Sequence, residues 1–326
     1  MEHQPIRTEE RGQHPKATVT QLPDHGPAAL PPCTVTYAVP AVLFAIGGHS
    51  GRSFFHDHSD VLVPLFAASR RVCPGTRSWP WTATHVRCFP HVTVGLHIHK
   101  LFNIVPELAP GPGGRRLTMS DFTAFLREAY ALPRHEAVSL APRESPPPAK
   151  KKKPLLLLIQ RKRYRRFVNG DELARAAEAA GFETVVSDVG DNTTRVAEQA
   201  RTVNSFDAMV GVHGAGLTNA MFLPPGAVHI QVVPYGKMEA IARSEYGDPM
   251  IDMGLEYLEY VIGLEESTLL ETLGPDHPAV RDPESVHRSG WDMVNEFYLK
   301  KQDLRINITR FAPTLAQAFE HLRRRQ

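Results

Sequence analysis

The chain has 326 residues, a formal net charge of +2, 42% hydrophobic residues and 22% charged residues. That length suits two domains of ordinary size, and the composition excludes disordered and fibrous classes. A charge this close to neutral gives no bulk field for nucleic acid, and three cysteines are too few for a disulfide scaffold.

Residues 1–32 are polar and proline-rich and read as a disordered arm without the apolar core of a signal peptide. No apolar run reaches the ~18 residues of a membrane span. The stretch "CTVTYAVPAVLFAIGG" predicts a buried strand ending at Gly47 and Gly48, and "FFHDHSDVLVPLFAASRR" predicts a helix. In "HVTVGLHIHK" the alternation places Val92, Val94, Leu96 and Ile98 on one face of a half-buried strand. "TMSDFTAFLREAYAL" predicts a helix with a Ser/Asp start. Proline followed by four lysines in "LAPRESPPPAKKKKP" marks a solvated linker at 142–153, separating a first domain, 33–141, from a second, 154–326.

The second domain is regular. Strands are predicted in "PLLLLIQ", "ETVVSDV", "FDAMVGV", "AVHIQVVP" and "LEYVIGL". Helices are predicted in "DELARAAEAAGF", closed by Gly181, in "TRVAEQARTVNS" and in "KMEAIARSEY". A closing helix, "PESVHRSGWDMVNEFYLKKQ", and a final one ending at "HLRRRQ" complete the chain. Strands alternating with helices at this spacing imply an α/β, Rossmann-like domain with a parallel sheet.

Ligands of such sheets bind beyond the carboxyl ends of the strands. Two segments reach that edge: "RKRYRRF", with Arg161, Lys162, Arg163, Arg165 and Arg166, and "HGAGLTNA", with His213, Gly214, Ala215 and Gly216. The glycines let backbone N–H groups approach a ligand, a following helix adds its dipole, and the arginines match phosphate oxygens. The residues suit a phosphate or pyrophosphate site, or else a tight turn beside a solvated basic loop. The third glycine of the dinucleotide fingerprint is missing. In the first half His56, Asp57, His58 and Asp60 fall within about one turn. They admit a metal site, a carboxylate base oriented by histidine, or polar helix caps. The sequons at Asn192 and Asn307 would suit a lumenal protein.

From Pro154 to about Leu322 the chain resembles the plant branch of glycosyltransferase family 61. The resemblance rests on "LLLLIQRKRYRRFVN", "VNSFDAMVGVHGAGLTNAMFLPPGAVHIQVVPYG", "LEYLEYVI", "DHPAVRDPESVHRSGWD" and the tail beginning "YLKKQDLRIN". Shorter matches are "CTVTYAVPAVLFAIGGHSG", "FFHDHSDVLVPLF" and "CFPHVTVGLHIH". It implies a GT-B-like pair of Rossmann-like domains facing a cleft, and inverting transfer of a pentose from UDP-xylose or UDP-arabinofuranose. The acceptor would be xylan or an N-glycan in the Golgi lumen, with no metal or other cofactor. It assigns the diphosphate to Arg161, Arg165, His213 and the Gly214–Ala215–Gly216 backbone, and the ribose to Glu239. The family's motif "YHEFND" falls on residues 55–60, retaining His56 and Asp60, which makes Asp60 the base and His56 its support. Cys33 and Cys88 lie beside matched motifs and are expected to be bridged, with Cys73 left free. The resemblance implies a longer stretch where this chain has "VCPGTRSWPWTATHVR", and an N-terminal anchor and stem that are not expected within these 326 residues. A first domain shortened in this way allows a second reading, an inactive relative that binds nucleotide-sugar or glycan without transfer.

Overall fold

A computed structural model describes residues 32–44, 53–72, 86–140, 153–188 and 195–324. The expected arm, Gly47 and Gly48, Cys73, almost all of the linker and Asn192 lie outside the described residues.

Five strands form one parallel sheet: β5 (Leu155–Ile159), β6 (Glu183–Ser187), β7 (Ala208–Val212), β8 (Val228–Val233) and β9 (Glu256–Val261). Their order is β6-β5-β7-β8-β9, parallel throughout. The central strands β7 and β8 are buried along their whole length, which is why they read as unbroken apolar runs rather than alternating ones. Helices α3 (Gly170–Ala179) and α4 (Val196–Asn204) provide the crossovers on either side of β6.

Among its described residues the first half holds less sheet than its sequence suggests. Strands β1 (Val35–Thr36) and β3 (Arg87–Cys88) pair with each other, and β2 (Ala41–Leu43) pairs with β4 (Val92–Val94). The expected buried strand is therefore two short, half-buried pieces. The alternating segment is corrected too: only three of its residues are strand, and Val92, Val94 and Ile98 are exposed while Thr93 is half-buried. Pairing with β2 alone gives this face no second layer to pack against among the described elements. Cys33 and Cys88 are disulfide-bonded, with Cα atoms 5.8 Å apart.

Helix α1 (residues 54–72) contains a π-helical stretch, Asp57–Leu62, just before Pro64. Proline lacks the N–H its turn needs and crowds the carbonyl behind it, so a widened turn there relieves the clash. Helix α2 (Met119–Ala129) starts in a capping box between Thr118 and Asp121. One apolar cluster runs from Phe55, Phe102 and Phe122 into Leu156–Ile159 and the sheet, so the two halves share a core. Asp207 fastens them further, pairing with Arg134 and accepting from the N–H groups of Val138 (2.8 Å) and Leu155 (2.9 Å).

Helix α5 (residues 239–252) follows β8 and includes a π-helical stretch, Arg243–Gly247. The single closing helix of the sequence reading is broken at Gly290 (φ 103°), which separates Pro283–Arg288 from α6 (residues 291–300). The last helix, α7 (Ile308–Arg324), packs on α3, β8 and β9. No described helix is long and apolar enough to cross a membrane.

Candidate active site

The strand order reverses between β5 and β7, the position beyond whose carboxyl ends ligands of open parallel sheets bind. Gly214 stands just past the end of β7 with φ 136°. A Cβ at this position would lie 2.8 Å from Nη1 of Arg161 and 2.8 Å from Nη2 of Arg165. Only a bare Cα lets two guanidinium groups close on the end of β7. The protein itself asks less of Gly216, whose Cβ would make ordinary contact, 3.5 Å, with Ile159. The helix expected after Gly214 is a 3-10 helix, Ala215–Phe222.

The basic stretch after β5 is sorted by the chain's tail. Arg166 gives its backbone N–H, Nε and Nη2 to Asp303 at 2.8, 3.0 and 2.6 Å. The backbones pair alongside, Leu304 N–H to Arg166 O at 2.8 Å and Val168 N–H to Leu304 O at 2.7 Å. Lys162 lies 3.5 Å from Asp188, and Arg163 lies over the Tyr164 ring. Arg165, held at φ 53° with its N–H on Gln302 O, turns inward. Its Nε is buried without a hydrogen-bond partner among the described residues. Burial and the charge of Arg161 push its guanidinium down to about 9, still charged at neutral pH.

His213 is 2% exposed. Its Nδ1 accepts from Nε2 of Gln231 at 3.0 Å, which leaves the ring proton on Nε2, 3.6 Å from Oε2 of Glu245. Burial and the two arginines push its pKa down to about 3. His213 is therefore a neutral N–H donor rather than one of the site's cations. Burial pushes Glu245 up to about 7, against the pull of His56 and Arg165.

The Phe55 ring, 5.4 Å from that of Tyr246, seats α1 on α5. Next to it His56 Nδ1 meets Asp60 Oδ2 at 2.9 Å, and Asp60 Oδ1 is buried without a hydrogen-bond partner among the described residues. The bond to Asp60 outweighs burial and holds the His56 imidazole above its ordinary value, with the charges of Asp60 and Glu245 adding to it. His58 instead bonds the Phe54 carbonyl at 2.8 Å, so the four-residue cluster does not converge. Among the described residues no group of three or more His, Cys, Asp or Glu is placed to hold a metal ion.

The model of the family described as glycosyltransferase 61 matches residues 54–230, more than half of the chain. The chain belongs to glycosyltransferase family 61. It is 40% identical to a beta-1,2-xylosyltransferase of Oryza sativa subsp. japonica over 90% of this chain and 66% of that protein. An alpha-1,3-arabinosyltransferase of the same plant is 37% identical over 93% of this chain and 55% of its own length. A xylan glycosyltransferase of Arabidopsis thaliana is 32% identical over 88% and 63%. The chain spans less than two thirds of the length of these relatives.

In this family 61 chain the matched stretch contains His56, Asp60, Arg161, Arg165, His213, Gly214, Ala215 and Gly216, and the structure gathers most of these about one site. Glu239 is exposed at the start of α5, outside that cluster. Asn307 is exposed, and its Oδ1 accepts from Arg310 N–H at 3.1 Å, capping α7. The sequence reading missed Glu245, Tyr246 and Gln231. Glu245 lies on a π-helical turn, where the 3.6-residue period that assigns helix faces does not apply. Gln231 is buried in β8 and has no motif of its own.

Proposed function

We propose that this chain is an inverting, metal-independent pentosyltransferase. It takes xylose or arabinofuranose from a UDP-sugar and places it on xylan or an N-glycan. The observation that carries the donor reading is the pair of guanidinium groups closed on Gly214 at the switch point of the sheet. Planar guanidinium groups suit diphosphate oxygens, and in a water-poor site they stabilise the charge of a departing diphosphate. The Nε2–H of His213 and the backbone N–H groups of Ala215 and Gly216 add neutral donors. Glu239 holds the ribose hydroxyls.

Asp60 is the base, and His56 holds one of its oxygens while the other has no hydrogen-bond partner among the described residues. Asp60 takes the proton of the acceptor hydroxyl as that oxygen bonds to the anomeric carbon. The bond from that carbon to the diphosphate breaks on the opposite face, and its electron pair leaves with UDP. This inverts the centre. The arrangement is GT-B-like, with α1 on the acceptor side of the cleft and the five-stranded sheet on the donor side. A Golgi lumen suits the Cys33–Cys88 bridge. The names of the rice and Arabidopsis relatives favour a pentose and xylan.

The test is incubation with UDP-xylose or UDP-arabinofuranose and xylan oligosaccharides, read by mass spectrometry. One added pentose with inverted anomeric configuration supports the proposal. UDP-dependent thermal stabilisation without product from either donor would establish a binding-only relative instead. The pairing of first-half strands two by two, among the described residues, favours that second reading.

A further inference from the structure

Glu245 faces charged and titratable groups from every element around the site. Arg165 comes from the loop after β5, with Arg161 beside it against Gly214; His213 Nε2, at the end of β7, is 3.6 Å away; His56, bonded to Asp60, comes from α1; and Tyr246 is its neighbour on α5. Its side chain is 19% exposed and makes no hydrogen bond among the described residues. The His56 imidazole is answered by Asp60, and His213 is neutral. That leaves two guanidinium groups as the charges available to a ligand.

The diphosphate of a nucleotide-sugar carries two negative charges, which these two cations match. An ionised Glu245 beside it would be a third negative charge in a place with little water. Like charges this close raise a carboxyl's proton affinity, and a protonated carboxyl offers an O–H where a carboxylate offers only acceptors. We propose that Glu245 binds the donor in its protonated form, so that docking of a nucleotide-sugar takes up one proton at this side chain. The inference rests on the donor reading given above. It goes beyond it by making donor affinity depend on pH through one named residue.

UDP-xylose is the suitable probe, because its diphosphate is esterified at both ends and has no oxygen titrating near neutrality. Calorimetry in buffers of different ionisation enthalpy reads the proton directly. Uptake is expected to approach about one proton at pH 8, with affinity about tenfold weaker there than at pH 6. Glu245→Gln has no carboxyl proton to exchange and should bind without uptake and equally at both pH values, and Glu245→Ala serves the same comparison should the glutamine variant not fold. Binding to wild type without uptake overturns the inference and leaves the donor reading standing. Uptake that persists in the variant places the proton elsewhere and overturns it too. Failure of UDP-xylose to bind at all overturns the donor reading, and this inference with it.

Discussion

Gly214 has two reasons to be glycine, a φ of 136° and a pair of guanidinium nitrogens 2.8 Å from where a Cβ would stand. Gly214→Ala should push Arg161 and Arg165 out of position and weaken UDP binding by about tenfold or more, the effect of ~1–3 kcal/mol of local strain. Gly216→Ala meets only an ordinary contact and should cost far less. Titration of both variants with UDP checks this, and equal losses would count against it. His229 makes a separate prediction. It is wholly buried in β8, both ring nitrogens lack hydrogen-bond partners among the described residues, and burial pushes its pKa down to about 3. The folded state holds it neutral, while the unfolded chain protonates it below about 6.5. Its contribution to stability is thus intact above about pH 6.5 and lost as pH falls towards 3. His56 and Glu245, whose folded values are raised, act with the opposite sign, but they are common to wild type and variant. His229→Phe, measured by denaturant unfolding, should gain about 2 kcal/mol on wild type in going from pH 7.5 to pH 5. An unchanged difference would mean that His229 is solvated or paired.

At the scale of elements, the tail strap sets the cationic site. Asp303 lies 137 positions from Arg166 in sequence, yet it takes three hydrogen bonds from that residue and fixes the turn that points Arg165 inward. Asp303→Ala should lower UDP affinity several-fold although Asp303 belongs to the anchoring pair rather than to the proposed donor site. Unaltered affinity in a folded variant would show that the loop holds itself. The strap also explains what the sequence left open. "RKRYRRF" offers five cations, and nothing local tells Arg165 from Arg166, because a distant carboxylate makes the distinction. The strands of the second half were legible because burial on both faces writes continuous apolar runs. The alternation at 91–100 reads as a sheet face, but only Val92–Val94 are strand and two of those side chains are exposed. His56 and Asp60 were legible as a pair four residues apart. Glu245 was not, since a π turn places it by a different period.

At the scale of the molecule, a continuous parallel sheet carries the proposed donor site, while α1 reaches it through the contact of Phe55 with Tyr246. Among the described residues the first half offers two-stranded sheets to support the proposed acceptor side. A base must sit within about 3 Å of its proton, and ~1 Å of misplacement can cost ~100-fold in rate. Measurable UDP binding with weak transfer is therefore expected, and robust turnover would refute it. Asp60→Ala should leave UDP affinity nearly unchanged and remove what transfer there is. The central claim is that Arg161 and Arg165 on Gly214 form the diphosphate site. Calorimetric titration of wild type, Arg161→Ala and Arg165→Ala with UDP tests it most directly. Each substitution should weaken binding by ~1.5–3 kcal/mol, as expected for hydrogen bonds to charged groups. Folded variants that bind UDP as tightly as wild type would contradict it.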